Sequence, residues 1–324
     1  RISSEKGRYA MDPVQAITNI RKFITDDVTY GLLNDEQAKQ FYVQVFETLE
    51  FSQLHRKERR TAKAGEVDKM GIGQRLLRAK DEGPLADDDY RVAPTFGRVQ
   101  YTCARIKLPW EISEEAIHDN IEGEALETKW MGMLTTQLGI DLEDLHWNGD
   151  TDDAGDDADF LNLNDGWLKQ LVAGAHVVDA SGEGFDSTLI GKDKFFAAKR
   201  ALPSKYLRGN NVRWMMNSTT QDAWNEYVSS RATSAGDAAL LGAAQQMPLG
   251  LPIARVPSFD DGVVVLADPK NFIAVNTWDV RIRKTSEGKS AVMNDMRYGS
   301  IFLDDDPIIE ELDAAVVITN MTIE

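Results

Sequence analysis

The chain has 324 residues, with 36 basic and 53 acidic side chains and a formal net charge of −17. One cysteine, Cys103, excludes an intramolecular disulfide framework and a multi-cysteine zinc site, and four scattered histidines argue against a His-based metal centre, so no metal or cofactor is expected. No apolar run approaches the length of a membrane span, and so strongly acidic a chain repels a duplex and is a poor general nucleic-acid binder.

In chain order, residues 1–11 read as a polar arm. Pro13–Asp26 reads as an amphipathic helix, capped by Asp12, with Val14, Ile17, Ile20, Phe23 and Ile24 on one face. Asp35–Leu49 reads as a second, capped by Asn34, with Phe41, Tyr42, Val45 and Phe46 in line. Arg1 is not methionine, so the natural start is expected to be missing or removed.

Residues 56–80 change character. Nine Lys/Arg against three acids give +6, leaving −23 for the rest. Glycines at 65, 71, 73 and 83 and prolines at 84 and 94 interrupt any long helix, so 56–95 reads as a projecting basic loop, one form of which is a β-hairpin. Phe96–Glu111 alternates as one long strand. Ser113 is a helix N-cap, followed by Glu114 and Glu115 in the first turn. A long helix is expected over about 114–145. Leu126, Trp130, Leu134, Leu138, Leu142 and Leu145 recur at spacings of four and three, with Trp130, Leu134, Leu138 and Leu142 as its core face.

Asn148–Asp159 is a turn-rich loop with six aspartates in positions 150–159. Helices are expected near 192–202 and 218–230, and strands at 212–217, 251–256, 263–267, 272–275, 280–284, 299–303 and 308–319. Asp260-Asp261-Gly262 and Glu287-Gly288 read as hairpin turns. This order of elements is α+β.

Several apparent chemical motifs fail. Gly288-Lys289-Ser290 resembles the end of a phosphate loop, but position 283 is Arg283 where the first glycine belongs, and its flanks read as strands. Gly71-Ile72-Gly73 lacks a third glycine. The aspartate loop fits positions 1, 3 and 6 of a calcium loop at Asp150, Asp152 and Gly155, but Ala154 and Leu161 occupy positions 5 and 12; a solvated acidic turn is favoured. Cys103, between Tyr101 and Ile106 on a strand, reads as a buried thiol. No catalytic residue is assigned.

Several stretches, in order, resemble the major capsid proteins of tailed bacteriophages, the Hong Kong 97-type fold. The run Val99–Asn120, with its Ile112-Ser-Glu-Glu, is similar to that family's strand entering a spine helix, and Ile140–Asp150 to the helix exit. Trp214–Thr220, Leu249–Ile253, Asp268–Ile273, Val280–Arg283 and Asp313–Ile318 resemble its later segments. The resemblance covers about 35–324. It implies an N-terminal arm with two helices (1–55), an extended basic loop (56–95), a peripheral domain with the spine helix (96–164), an axial domain (165–295) and return strands of the peripheral domain (296–324).

The implied function is a non-enzymatic shell subunit. It assembles with itself into homo-pentamers and homo-hexamers of an icosahedral capsid, in the virion and built in the host bacterial cytoplasm. The shell encloses double-stranded DNA without sequence-specific binding and without a membrane. A scaffolding protein, a portal and decoration proteins are candidate further partners. Many relatives begin with a scaffolding segment that is cleaved; no such coiled segment is present, which implies a separate scaffold or a matured chain. Some relatives cross-link through Lys–Asn bonds, but no motif assigns one here.

Arg56, Lys57, Arg59, Arg60, Lys63 and Lys69 are the expected inter-subunit contacts, meeting the −23 remainder of a neighbouring copy. Three alternatives stand beside this reading: an encapsulin-type nanocompartment shell, a cytosolic hydrolase using paired carboxylates, and a chromosome-associated DNA binder gripping through the basic loop.

Overall fold

The computed structural model describes residues 31–32, 50–71, 95–119, 125–208, 211–230, 247–277 and 280–323. The two expected arm helices and residues 72–94 of the expected loop lie outside them. The chain divides into two compact units.

The first unit comprises residues 1–45, 107–138 and 279–303. Its strand β1 (Gly31–Leu32) pairs antiparallel with a later strand at Ile282 and Arg281. Ser113 caps helix α1 (Glu114–Asp119) as expected, its Oγ accepting from the Ala116 N–H at 3.1 Å. The Glu114 carboxylate accepts from the Nε–H and the Nη2–H of the Arg297 guanidinium, a bidentate pair. Gly299 lies against Trp110, whose ring fills the space where a Cβ would stand.

The second unit comprises residues 46–106, 139–278 and 304–324. Strands β2 (Arg56–Arg60) and β3 (Ala64–Gly71) come first, and β3 forms a hairpin with β4 (Thr95–Thr102), running from Ala64 opposite Thr102 to Gly71 opposite Thr95. The single strand expected over 96–111 is two, β4 and β5 (Ala104–Ser113). They break at Cys103, whose N–H leaves the ladder to donate to the Lys63 carbonyl at 2.8 Å.

The expected long helix is α1 and then α2 (Ala125–Asn148). Along α2 the buried positions include Met131, Thr135, Leu138, Leu142 and Leu145, and near its end Glu143, His146 and Trp147, whereas Trp130 and Leu134 are half-buried. The buried stripe thus starts one residue away from the expected one. Thr135 can sit in it because its hydroxyl donates to the Met131 carbonyl at 2.8 Å, an option that counting apolar side chains misses.

Helices α3 (Ala158–Leu161) and α4 (Trp167–Gly174) and strand β6 (His176–Asp179) follow. Helix α5 (Lys192–Ala201), strand β7 (Arg213–Met216) and helix α6 (Ser218–Ser229) occur where the sequence places them. Asn217 caps α6 by accepting from the Thr220 N–H. Strands β8 (Ile253–Arg255), β9 (Val264–Ala267), β10 (Phe272–Thr277) and β11 (Arg281–Thr285) come next.

The β11 strand leads through helix α7 (Lys289–Asn294) into β12 (Met296–Ile309), and β13 (Ala315–Thr319) ends the set. The strands expected at 299–303 and 308–319 are therefore one 14-residue strand, a 3-10 turn at Leu312–Ala314, and β13. Lys289 and Ser290 open a six-residue helix, where a strand was expected. Residues Arg281–Thr285 of β11 pair with Tyr298–Phe302 of β12, so Glu287-Gly288 does sit between paired strands. The β8 and β9 strands each pair with β7 and not with one another, so Asp260-Asp261-Gly262 is a turn and not a hairpin. Gly262 has φ +82°, and the Met321 carbonyl occupies the space of a Cβ.

The sheet β6-β13-β9-β7-β8 carries the main core. Val264, Leu266, Val316 and Ile318 face one cluster, with Phe195, Trp214 and Trp224. Val265, Ala267, Ala315 and Val317 face another, with Trp147, Trp167 and Phe272. A strand covered on both faces has no polar side to show, which is why these runs read as unbroken apolar stretches. The resemblance groups 296–324 with the peripheral domain, whereas β13 pairs with β6 and β9, strands on either side of α5 in the chain.

Candidate functional site

The basic run of the sequence and an acidic run near its end meet in the second unit. β2 pairs parallel with β10, from Arg56 opposite Ile273 to Arg60 opposite Thr277. It ends its row of strands, and a heavily charged strand at an edge discourages further pairing. On its other side β10 pairs antiparallel with the end of β12, from Phe272 opposite Ile309 to Asn276 opposite Asp305. This places residues 56–69 beside residues 304–311.

The charges pair off. Arg56 reaches Glu310 at 2.7 Å and Glu58 at 2.6 Å, and Arg60 reaches Glu58 at 2.9 Å. Lys63 lies 3.3 Å from Asp304. The Lys69 ammonium donates to the Glu311 carboxylate at 3.1 Å and the Glu310 carbonyl at 3.0 Å. Lys57 and Arg59 stand on the same strand, and each also interacts within the chain. Thus Arg56, Arg60, Lys63 and Lys69, expected to await a neighbouring copy, are engaged by carboxylates of their own chain. A sum of +6 against −23 requires counter-charges but does not fix which copy's carboxylates supply them.

The centre of this arrangement is Asp304-Asp305-Asp306 on β12, a triplet that sequence reasoning passed over. Asp304 is fully buried and accepts from Arg105 at 2.9 Å, from Lys63, and from the Thr277 hydroxyl at 3.1 Å. Burial pushes its carboxyl up, but Arg105, Thr277 and Lys63 outweigh that and hold it below the ordinary carboxylate range. Asp305, also fully buried, meets the His146 Nε2 at 2.6 Å and accepts from the Asn276 amide. Its backbone carbonyl accepts from Asn164 at 2.9 Å.

Asp306 accepts from the Thr102 N–H at 2.7 Å. Burial, with neighbouring Asp305, pushes its carboxyl up to about 7. Burial likewise raises Glu143 to about 7, against the opposing hydrogen bond from Ser52. Three successive carboxylates therefore hold the turn after β2, the β4–β5 break, β10 and α2. The available signal was three acids interrupting an apolar strand, Ile301–Leu303 before and Ile308–Ile309 after. Buried acids demand cations and donors from elsewhere in the chain.

Two other expectations are placed. Cys103 is buried, and burial with Asp305, Asp306 and Asp304 nearby pushes its thiol up to about 12, so it carries little thiolate. In the aspartate loop, the Lys169 ammonium lies 2.6 Å from Asp150, 2.8 Å from Asp152 and 2.7 Å from Asp165. A built-in ammonium thus stands among the carboxylates that suggested calcium.

Comparison with known proteins agrees with this architecture. No protein-family model matches the chain. A protein named as a prophage capsid protein, YqbE of Bacillus subtilis (strain 168), is 28% identical over 265 residues, spanning 78% of this chain and 82% of its own. The subunit of a satellite phage P4 procapsid that includes a size-determination protein superposes with a TM-score of 0.64 at 14% identity, over 88% of this chain and 99% of its own. The capsid of an empty GTA particle, computed with C5 symmetry, gives 0.56 at 15% identity over 93% and 97%. Gordonia phage Cozz gives 0.56 at 13% over 83% and 85%. The chain has the phage capsid-protein fold that its sequence resembles.

Proposed function

We propose that the chain is a major capsid protein, a structural subunit that assembles with copies of itself into a closed shell around packaged DNA. The observation that carries this reading is agreement along almost the whole chain. The match to the P4 procapsid chain takes in 99% of that chain, and the 28% identical relative is named as a prophage capsid protein. Neither the encapsulin reading nor the hydrolase reading gains support from these likenesses.

The finer assignments belong to the same proposal: pentamers and hexamers as building units, location in the virion after assembly in a bacterial cytoplasm, and service by a scaffold, portal or decoration protein. Also part of it are the peripheral and axial domains and the absence of catalysis. A net charge of −17 keeps the subunit from gripping the DNA it would enclose. The Asp304–Asp306 clasp gives the subunit a stiff junction, since breaking a satisfied buried network costs several hydrogen bonds together.

The test is to express the chain alone and with candidate scaffold proteins and measure particle size by sedimentation and negative-stain microscopy. Closed particles of uniform diameter are expected. A chain that stays monomeric at every concentration, with and without scaffold, would end the proposal.

A further inference from the structure

Two features of the described surface complement each other in shape and charge. One is the tip between β11 and β12. On α7, Ala291 turns inward at 4% exposed, while Val292 and Met293 are 72% and 76% exposed. Two adjacent bulky apolar side chains in water forgo the burial that usually places such residues inside. Residues 281–289 leading to this tip hold four cations against one acid, in a chain of net −17. Arg283 and Lys289 are exposed among them.

The other feature is a pocket of about 680 Å³ in the second unit. Phe160, Leu168 and Val172 give it apolar walls, and Asp144, Asp157 and Asp260 line it as well. Val172 is 53% exposed. Trp147, fully buried behind the wall, has an indole N–H with no acceptor among the described residues. The pocket's Lys169 ammonium is already shared by Asp150, Asp152 and Asp165. Burial and the like charges of Asp141, Asp260 and Asp157 push the Asp144 carboxyl up, the signature of carboxylates crowded without enough counter-charge.

We propose that the Val292–Met293 tip of one copy docks in this pocket of a second copy, its apolar side chains against Phe160, Leu168 and Val172 and its cations beside Asp144, Asp157 and Asp260. The occupant is a second copy because the tip has both chemistries that the pocket presents in complement, an apolar plug and flanking positive charge. Such a contact is heterologous: one surface meets a different surface of the next copy, and repetition closes a ring when the rotation permits. The inference rests on the shell-subunit reading and names a surface through which it would operate.

The test uses two variants, Val172→Cys and Met293→Cys, each adding one cysteine to native Cys103, with one carrying a mass tag, co-assembled and then oxidised. The native Cys103 is 8% exposed and its thiol is held near 12, so the parent chain serves as a blank. Mixed disulfide dimers are expected as the main product of co-assembly, and neither variant alone should give them. Shells that form normally without mixed dimers would overturn the docking while leaving the shell reading intact. Absence of any assembly by the parent chain would overturn both. A second variant guards against local misfolding. Val292→Asp with Met293→Asp should keep the parent's thermal midpoint as a subunit and fail to assemble, and normal shells from it would overturn the docking.

Discussion

The basic strand β2 and the apolar tip at α7 make opposite use of conspicuous residues. Arg56 and Arg60 look like a surface awaiting a partner, yet Glu58 and Glu310 of their own chain hold them. Val292 and Met293 sit in an unremarkable stretch of sequence and are left bare. A charge run announces that a counter-charge exists without saying where; an exposed apolar pair announces that nothing among the described residues covers it. The described ion pairs of β2 lie within the chain, whereas the apolar pair on α7 is exposed.

Reversing the charge of the whole strand should have the largest effect on the subunit. With Arg56, Lys57, Arg59 and Arg60 all changed to Glu, four acids would stand beside Glu58 and Glu310. The subunit should lose its cooperative fold, read as a missing thermal transition in circular dichroism. If it stays folded with an unchanged midpoint and merely fails to assemble, the strand faces a neighbour and the inward reading fails.

Buried and bare apolar positions on α2 sharpen the same contrast. Leu138 is 2% exposed, and Leu138→Ala should cost about 2–5 kcal/mol in chemical denaturation. Half-buried Leu134 should cost about 1–2 kcal/mol when truncated, and Met133, 64% exposed, close to nothing in the isolated subunit. Equal costs at Leu134 and Leu138 would restore the register expected from apolar spacing alone.

The smallest effect concerns Asp306. Its carboxyl titrates near 7 in the folded chain, above the ordinary carboxylate value. The native state therefore holds a proton that the unfolded chain releases, so this group's stabilisation is fully present below about pH 4 and is lost as pH rises through about 7. Asp306→Asn should flatten that part of the stability-against-pH curve, a change on the order of 1–2 kcal/mol between pH 5 and 8. Glu143, also raised to about 7, contributes with the same sign and should persist in the variant. An unchanged curve would show that Asp306 is ionised throughout.

Much of the fold was legible in the sequence where local chemistry decides it. Ser113 caps its helix because its side chain meets the backbone N–H three residues on. The β9 and β13 strands were visible because apolar residues fill both of their faces. What escaped depends on distant partners. β2 is a strand because β10 lies beside it, not because Arg-Lys-Glu-Arg-Arg favours extended backbone. The break at Cys103 follows from the Lys63 carbonyl, 40 residues back in the chain. The Asp304–Asp306 triplet has meaning only once Arg105, His146 and Thr102 are seen around it. The α7 tip was read as strand on both sides of Gly288 because a six-residue helix leaves almost no periodic trace.

Electron cryomicroscopy of the purified protein, assembled with or without a scaffold, decides whether this chain is a shell subunit. Closed particles whose reconstruction contains five-fold and six-fold rings of this one chain are expected. A uniform population of isolated subunits, or of open filaments without five-fold vertices, would contradict it.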